Sequence, residues 1–361
     1  MLGKDPDGIS VVQSRSEADA LELPPLLILD EVTNFLDQQG LGKGEIFWTP
    51  IGDGQSNVTF KIVRDDDAFV LRRGPRPPLP PSTHDMVREA RIQELVHRQG
   101  VPVPEILALC EDVSVLGVPF YVAEFLNGTV ITDSIPAYLS STEERKNTSI
   151  AIVDTLVKLH QVDVSTGDLA AFGKPNGYLK RQVERFSSLW DVNTLRDLPE
   201  VAMLSEWLSR NLPESQMASV IHGDFRAGNL MFAGDSPARV MAILDWEMAT
   251  IGDPLADLGY LTATYAEPGS QVTPLELTSV TREPGYLSSA ELIARYQEQM
   301  NLNIDALSWY QTLALWKASI FCEAIYTRWL KGERPDDKSF APSLEVGVPR
   351  LLAGARAFAG V

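Results

Sequence analysis

The stretch from Ser219 to Asp257, SVIHGDFRAGNLMFAGDSPARVMAILDWEMATIGDPLAD, constrains this chain more than any other part of it. Within it Asp224 follows His222 by two positions, Asn229 follows Asp224 by five, and Asp245 follows Asn229 by sixteen at the end of an apolar strand. These intervals match phosphotransfer chemistry: a carboxylate faces an acceptor hydroxyl, then an amide and a second carboxylate chelate magnesium from neighbouring loops. Hard oxygen donors such as Asn229 and Asp245 suit an octahedral ion that keeps waters and phosphate oxygens. Softer metals find no ligand cluster, because the two cysteines, Cys110 and Cys322, stand far apart and the four histidines are scattered.

Size and charge narrow the remaining classes. At 361 residues the chain exceeds the usual limit for one hydrophobic core, which predicts two lobes. A formal net charge of -18 opposes binding to nucleic acid or to anionic membranes, so neither is an expected partner. No apolar run approaches the roughly 20 residues of a spanning helix, and the N-terminus has Asp and Gly residues where an export signal has a basic flank. A reducing, cytoplasmic setting is expected.

Along the chain, residues 1 to 25 are polar and aperiodic and read as a flexible leader before a helix at Leu26 to Gln39. Short β-branched runs, Val58 to Val63 and Ala68 to Leu71, are separated by Arg64-Asp65-Asp66-Asp67 and predict antiparallel hairpins. Gly74 to Pro81 holds five prolines and reads as an extended connector. A helix from Asp85 to Arg98 follows, with Val87, Ala90, Ile92, Leu95 and Val96 as its apolar face and Gly100 as its stop. Strands at Ile106 to Leu109 and Pro119 to Phe125 complete an N-lobe over 26–126. From 127 to 361 helical periodicity dominates, beginning at Thr148 to His160, which predicts a C-lobe. No repeat of solenoid period is evident.

His222-Gly-Asp-Phe-Arg-Ala-Gly-Asn229, Ile243-Leu-Asp-Trp-Glu247, Gly252-Asp-Pro254 and Asp257 carry a resemblance, as do Gly54-Gln-Ser-Asn-Val-Thr59, Val70-Leu-Arg-Arg73 and His84-Asp85 leading to Arg88-Glu89. Their ordered set, over residues 46 to about 330, resembles the aminoglycoside phosphotransferase family of small-molecule kinases. The nearest branch is the kinase-like domains associated with acyl-CoA dehydrogenases. The resemblance implies an α+β, protein-kinase-like two-lobe fold, with a small antiparallel-sheet N-lobe and a larger, mainly helical C-lobe. It implies an ATP- and Mg2+-dependent transfer of the γ-phosphoryl group to a hydroxyl of a small molecule.

By the same resemblance Asp224 is the catalytic carboxylate, and Asn229 and Asp245 hold magnesium. Gly54, Ser56 and Asn57 lie in the loop over the nucleotide phosphates, although Gly-Asp-Gly is equally a hairpin turn. Arg72 stands where protein kinases offer a lysine to the phosphates, and Glu89 on the next helix is its partner. Arg73 alternates to the opposite strand face and is expected in solvent. Glu124 and Leu126 sit where kinase-like folds present backbone groups to the adenine edge, which leaves no side-chain signature, so GTP is not excluded beside ATP. Asp257 braces the loop of Asp224 through backbone amides, Asp253 caps the helix begun by Pro254, and His222 organises the loop rather than moving protons. Glu247 either approaches the metal or faces the substrate.

The helical lobe is expected to build the acceptor pocket. Trp316, Glu323 and Tyr326 recur at helical steps and either point at the cleft or pack as a core helix. An acidic chain suits a polycationic antibiotic, whereas the acyl-CoA dehydrogenase branch suggests hydroxy acids or hydroxyacyl-CoA thioesters, anions that Lys174 to Arg185 or Arg72 to Arg76 would meet. A hydroxylated metabolite is favoured over an aminoglycoside or macrolide. A pseudokinase-like nucleotide-binding module is the competing class. A protein kinase is disfavoured by the short path from Asp245 to Asp257, and the sequence is silent on oligomeric state.

Overall fold

Period-two alternation builds the first of two units, Met1–Asn127. The computed structural model describes residues 4–5, 8–52, 57–77, 84–270, 272–275, 278–333 and 337–361. Near the N-terminus β1 (Lys4–Asp5) pairs with β2 (Gly8–Ile9), and β3 (Val11–Val12) precedes the short α1 (Arg15–Asp19). β4 (Leu27–Ile28) then leads directly into α2 (Leu29–Gln39). Five further strands, β5 (Phe47–Pro50), β6 (Val58–Arg64), β7 (Asp67–Arg73), β8 (Ile106–Cys110) and β9 (Phe120–Glu124), form an antiparallel sheet in the order β5-β6-β7-β9-β8. Phe60, Ile62, Phe69, Leu71, Phe120 and Val122 turn one face of that sheet into the core. On the other face, Tyr121 and Ala123 pack with Met86 and Ala90 of α3 (Met86–Arg98).

Two expectations are corrected here. Residues 10–28 are no flexible leader: Val11 and Val12 are buried, pair in parallel with Leu27 and Ile28, and join the sheet's core. The apolar run is only two residues long, too short to register as a period, and its partner lies fifteen residues on. The buried face of α3 is also rotated from its most apolar stripe. Met86, Glu89, Ala90, Ile92, Gln93 and Val96 are buried while Val87 and Leu95 are only partly so, because Glu89 has an arginine to meet inside. After α4 (Val113–Leu116) the chain returns through β9.

The second unit, Gly128–Val361, is helical around two small sheets. β10 (Thr129–Val130) precedes α5 (Thr142–His160), which starts six residues earlier than its periodicity suggests, because Ser141 caps it by accepting from Glu144 N–H. The short α6 (Gly167–Phe172), α7 (Tyr178–Asn193) and α8 (Pro199–Arg210) follow. β11 (Ser219–Ile221), β12 (Leu230–Phe232), β13 (Val240–Ile243) and β14 (Thr250–Gly252) come next, pairing as β11-β14 and β10-β12-β13. The remainder is α9 (Leu255–Thr264), α10 (Ser289–Met300), α11 (Leu307–Leu330) and α12 (Phe340–Ala359). α11 is buried on nearly all sides, as its all-round apolar sequence demands, and packs on α7, α8, α9 and α12. No described helix is long and apolar enough to cross a membrane.

Candidate active site

Two short antiparallel ladders set the loop that carries Asp224. Pairing of Ser219 with Gly252 and of Ile221 with Thr250 ends β11 at His222, and pairing of Leu230 with Ile243 leaves Asn229 opposite Leu244. Leu244 is then gripped from both sides: its N–H donates to Asn229 O at 2.8 Å, and its carbonyl accepts from His222 Nε2 at 2.8 Å. His222 Nδ1 in turn accepts from Asp224 N–H at 3.3 Å, which fixes the ring as the Nε2–H tautomer. His222 is fully buried between Phe225 and Trp246 and so organises the loop, as read from the sequence.

Asp245 follows with φ +63°, a left-handed backbone that costs an aspartate about 1 kcal/mol. The bonds on Leu244 and the Trp246 indole N–H on Ile243 O, at 2.9 Å, hold it there. Gly223 has φ +87° and an added Cβ would lie 2.9 Å from Met248 O, so only glycine fits.

Asp224 and Asn229 touch directly. Asn229 Nδ2 donates to Asp224 O and to Asp224 Oδ2, each at 2.8 Å, which leaves Asn229 Oδ1 as an acceptor for other groups. Arg226 Nε lies 3.5 Å from Asp224 Oδ1, and the Tyr260 phenol bonds the same carboxylate from α9. Burial, and next the Asp224 charge, push that phenol well above its ordinary range, so it remains a donor.

Asp257 holds this loop from α9. Its Oδ2 accepts from His222 N–H at 2.7 Å and its Oδ1 from Gly223 N–H at 2.8 Å. Sequence reasoning missed what stands behind it: Tyr296 O–H donates to His160 Nδ1 at 2.7 Å, and His160 Nε2 donates to Asp257 Oδ2 at 3.3 Å. Nothing local signals a contact across 97 positions. Asp253 caps α9 through Leu255 N–H and also accepts from Tyr310 O–H at 2.8 Å.

In the first unit Arg72 Nε meets Glu89 Oε1 at 2.8 Å, with Glu89 only 1% exposed. Tyr121, Arg72's partner across the sheet, donates to Glu89 Oε1 at 2.9 Å, and Gln93 donates to Tyr121 Oη at 3.2 Å. Asn57 is buried and its Oδ1 accepts from His84 Nδ1 at 2.8 Å, while Gly54 and Ser56 lie outside the described residues. Glu124 ends β9, its N–H on Glu105 O and its carboxylate accepting from Glu105 N–H at 3.0 Å; Leu126 is half-buried just beyond.

Other expected positions are corrected. Arg73 is fully buried, not solvated, and donates to the carbonyls of Gly74, Leu26 and Leu116. Burial, and secondarily Arg76, lower it to about 10. Trp316, Glu323 and Tyr326 take the core-packing alternative instead of facing a cleft. The Trp316 indole donates to Val201 O at 3.0 Å, Glu323 is fully buried against Arg196, and Tyr326 stacks on Trp329 with Arg196 4.4 Å above its ring. Glu247 is half-buried two residues past Asp245.

A loop carboxylate gripped by an amide, with a second carboxylate just past the paired hairpin and an antiparallel-sheet unit ahead of it in the chain, defines a kinase-like phosphotransferase. The protein belongs to the APH group, the phosphotransferase enzyme family, whose model matches residues 48–292. It is 35% identical over 291 residues to human acyl-CoA dehydrogenase family member 11, covering 80% of this chain and 37% of that one. The chain thus spans little more than a third of that relative. A solved structure from Ralstonia eutropha, assigned as an aminoglycoside phosphotransferase, is 26% identical with a TM-score of 0.78, covering 92% of this chain and 98% of its own. A spectinomycin phosphotransferase bound to ADP and spectinomycin shares the fold at 12% identity, with a TM-score of 0.58 and coverage of 92% and 98%. The mixed fold, with its antiparallel-sheet lobe and helical lobe, and an activity on hydroxyl acceptors follow from this membership.

Proposed function

We propose that the chain moves the γ-phosphoryl group of ATP to a hydroxyl of a small hydroxy acid or of its CoA thioester. The observation that carries the reading is the double grip of Asn229 Nδ2 on Asp224, which fixes one carboxylate oxygen; with Arg226 3.5 Å from the other, the side chain is still 27% exposed and open to an incoming hydroxyl. In the transfer, the acceptor oxygen bonds to the γ-phosphorus while the bond to the β–γ bridging oxygen breaks, and ADP leaves with that electron pair. The hydroxyl proton passes to Asp224. Because the transition state is loose, orientation by the carboxylate matters more than its basicity.

The donor set fits magnesium. Asn229 Oδ1, left as an acceptor by the donation of its Nδ2 to Asp224, and the Asp245 carboxylate would be the protein's hard oxygen donors to the ion. When bound there, the ion supplies charge neutralisation on the phosphates. Asp245's strained backbone and Asn229's fixed amide pre-orient those donors, and Arg72, kept in place by Glu89, adds a cation for phosphate oxygens. Leu126, just past β9, is the proposed backbone contact for the nucleobase, and a cytoplasmic location accords with the buried cysteines.

The acceptor class rests on the relative's name as an acyl-CoA dehydrogenase family member. ADP release measured across hydroxyacyl-CoA thioesters, free hydroxy acids, aminoglycosides and macrolides tests it. Phosphate on the first two classes is the expected result, and turnover on antibiotics alone overturns it. Asp224→Asn should lower that turnover by about a thousandfold with ADP affinity kept; full turnover in the variant removes Asp224 from its role, and no turnover in any class with nucleotide still bound returns the pseudokinase reading.

A further inference from the structure

Between Leu307 and Tyr326 the apolar α11 carries two charged residues, Lys317 and Glu323. Glu323 has Arg196. Lys317 has no carboxylate: its Nζ crosses to α7, donates to Gln182 Oε1 at 2.9 Å and lies 4.7 Å from the centre of the Phe186 ring. Arg185 shares that face of α7, at the i+3 position from Gln182, and its charge acts on Lys317. Among the described residues neither cation is in an ion pair, although carboxylates outnumber cations in this chain by 49 to 31. The partly buried arginines of this unit are held by carboxylates or by backbone carbonyls: Arg145 by Glu283, Arg196 by Glu323, Arg226 by Asp224, Arg295 by Asp154, and Arg282 by the carbonyls of Glu267 and Ser270.

A cation taken from water and given only a neutral amide and a ring face is costly to hold, and a second positive charge beside it raises that cost. Burial, opposed by Asp257 and aided by Arg185, lowers Lys317 to about 8, so the ammonium is still charged at neutral pH. Asp257 is not its close partner: the Asp257 oxygens accept from His222 N–H, Gly223 N–H and His160, and no ion pair joins Asp257 to Lys317 among the described residues. Yet its field links Lys317 to the residue that fixes the two amides preceding Asp224.

We propose that Lys317, with Arg185 beside it, is the anion seat of the acceptor site. It takes either the carboxylate of a free hydroxy acid or the phosphate groups of a CoA thioester. This rests on the transfer reading above only for the identity of the ligand as acceptor; the seat itself is tested by binding.

Calorimetric titrations of the full chain, saturated with ADP so that the nucleotide site is filled, would compare 3-hydroxybutyrate, coenzyme A and the uncharged 3-hydroxybutyramide. Lys317→Met keeps the stem over Phe186 and removes the charge, whereas Lys317→Arg keeps the charge. In Lys317→Met the affinity for the anion that binds should fall about 10- to 100-fold, the range of one charge-assisted contact. Lys317→Arg should restore most of it, with amide and ADP binding unchanged. Loss in the hydroxybutyrate arm identifies a carboxylate ligand, and loss in the coenzyme A arm a phosphate ligand. The surface variant Arg185→Gln, with an expected loss of about threefold, provides the test should Lys317→Met not fold. Wild type binding neither anion, or variants binding as wild type does, overturns the seat. Lys317-dependent anion binding without ADP release on any hydroxyl acceptor would leave the seat standing and overturn the transfer reading.

Discussion

Asp257→Asn isolates the brace behind the Asp224 loop. In the wild type one carboxylate, 1% exposed, accepts from two consecutive backbone amides at 2.7 and 2.8 Å and from His160 at 3.3 Å. An asparagine keeps one acceptor oxygen and turns its NH2 toward the other amide, donor against donor. One charge-assisted bond, about 1.5–3 kcal/mol, is lost and one buried N–H is stranded at about 1–3 kcal/mol more, so a loss near 4 kcal/mol is expected. For a unit of this size that corresponds to a fall in melting temperature of about 10 °C. Asp224 is the next residue after Gly223, and a displacement near 1 Å costs about a hundredfold in turnover. ADP release on an acceptor the wild type phosphorylates should therefore show kcat down about 100-fold, with the nucleotide KM within about threefold. Hydrogen exchange needs no acceptor: the amides of His222 and Gly223 should exchange at least about 30-fold faster, as 2 kcal/mol of lost protection requires. A variant that melts lower yet keeps kcat within threefold would make the brace merely structural. Unchanged exchange at both amides would refute the reasoning outright.

Two further variants probe the first unit. Glu89→Ala leaves Arg72 without its carboxylate and Tyr121 without its acceptor, and should destabilise the fold by about 3 kcal/mol in denaturant titrations; a loss under 1 kcal/mol would mean the pair contributes little. Arg73→Leu strands the carbonyls of Gly74, Leu26 and Leu116, so trypsin should cut first within residues 1–28, at a rate well above wild type; equal cutting rates would show that Arg73 does not fasten that segment.

What could be read ahead of the structure follows a physical divide. Strand alternation at Phe60, Ile62, Phe69 and Leu71, and the intervals joining Asp224, Asn229 and Asp245, are set by local chain geometry, so they are visible as spacing. The groups that hold those residues in place are set by packing across long separations and often bond backbone atoms, which have no letter in a sequence. Hence Arg73, whose acceptors are carbonyls, was expected in solvent, and His160, 97 positions from Asp257, had no visible partner. α11 shows the limit from the other side. A helix apolar all round gives no preferred face, so the three- and four-residue steps of Trp316, Glu323 and Tyr326 carried no direction, and those side chains lie inside. In such a helix the informative residue is the one that breaks the apolar run without a counterion to explain it. Glu323 is explained by Arg196, whereas Lys317 has a neutral amide and a ring face but no carboxylate in an ion pair among the described residues, which is why an anion from outside is the reading its surroundings favour.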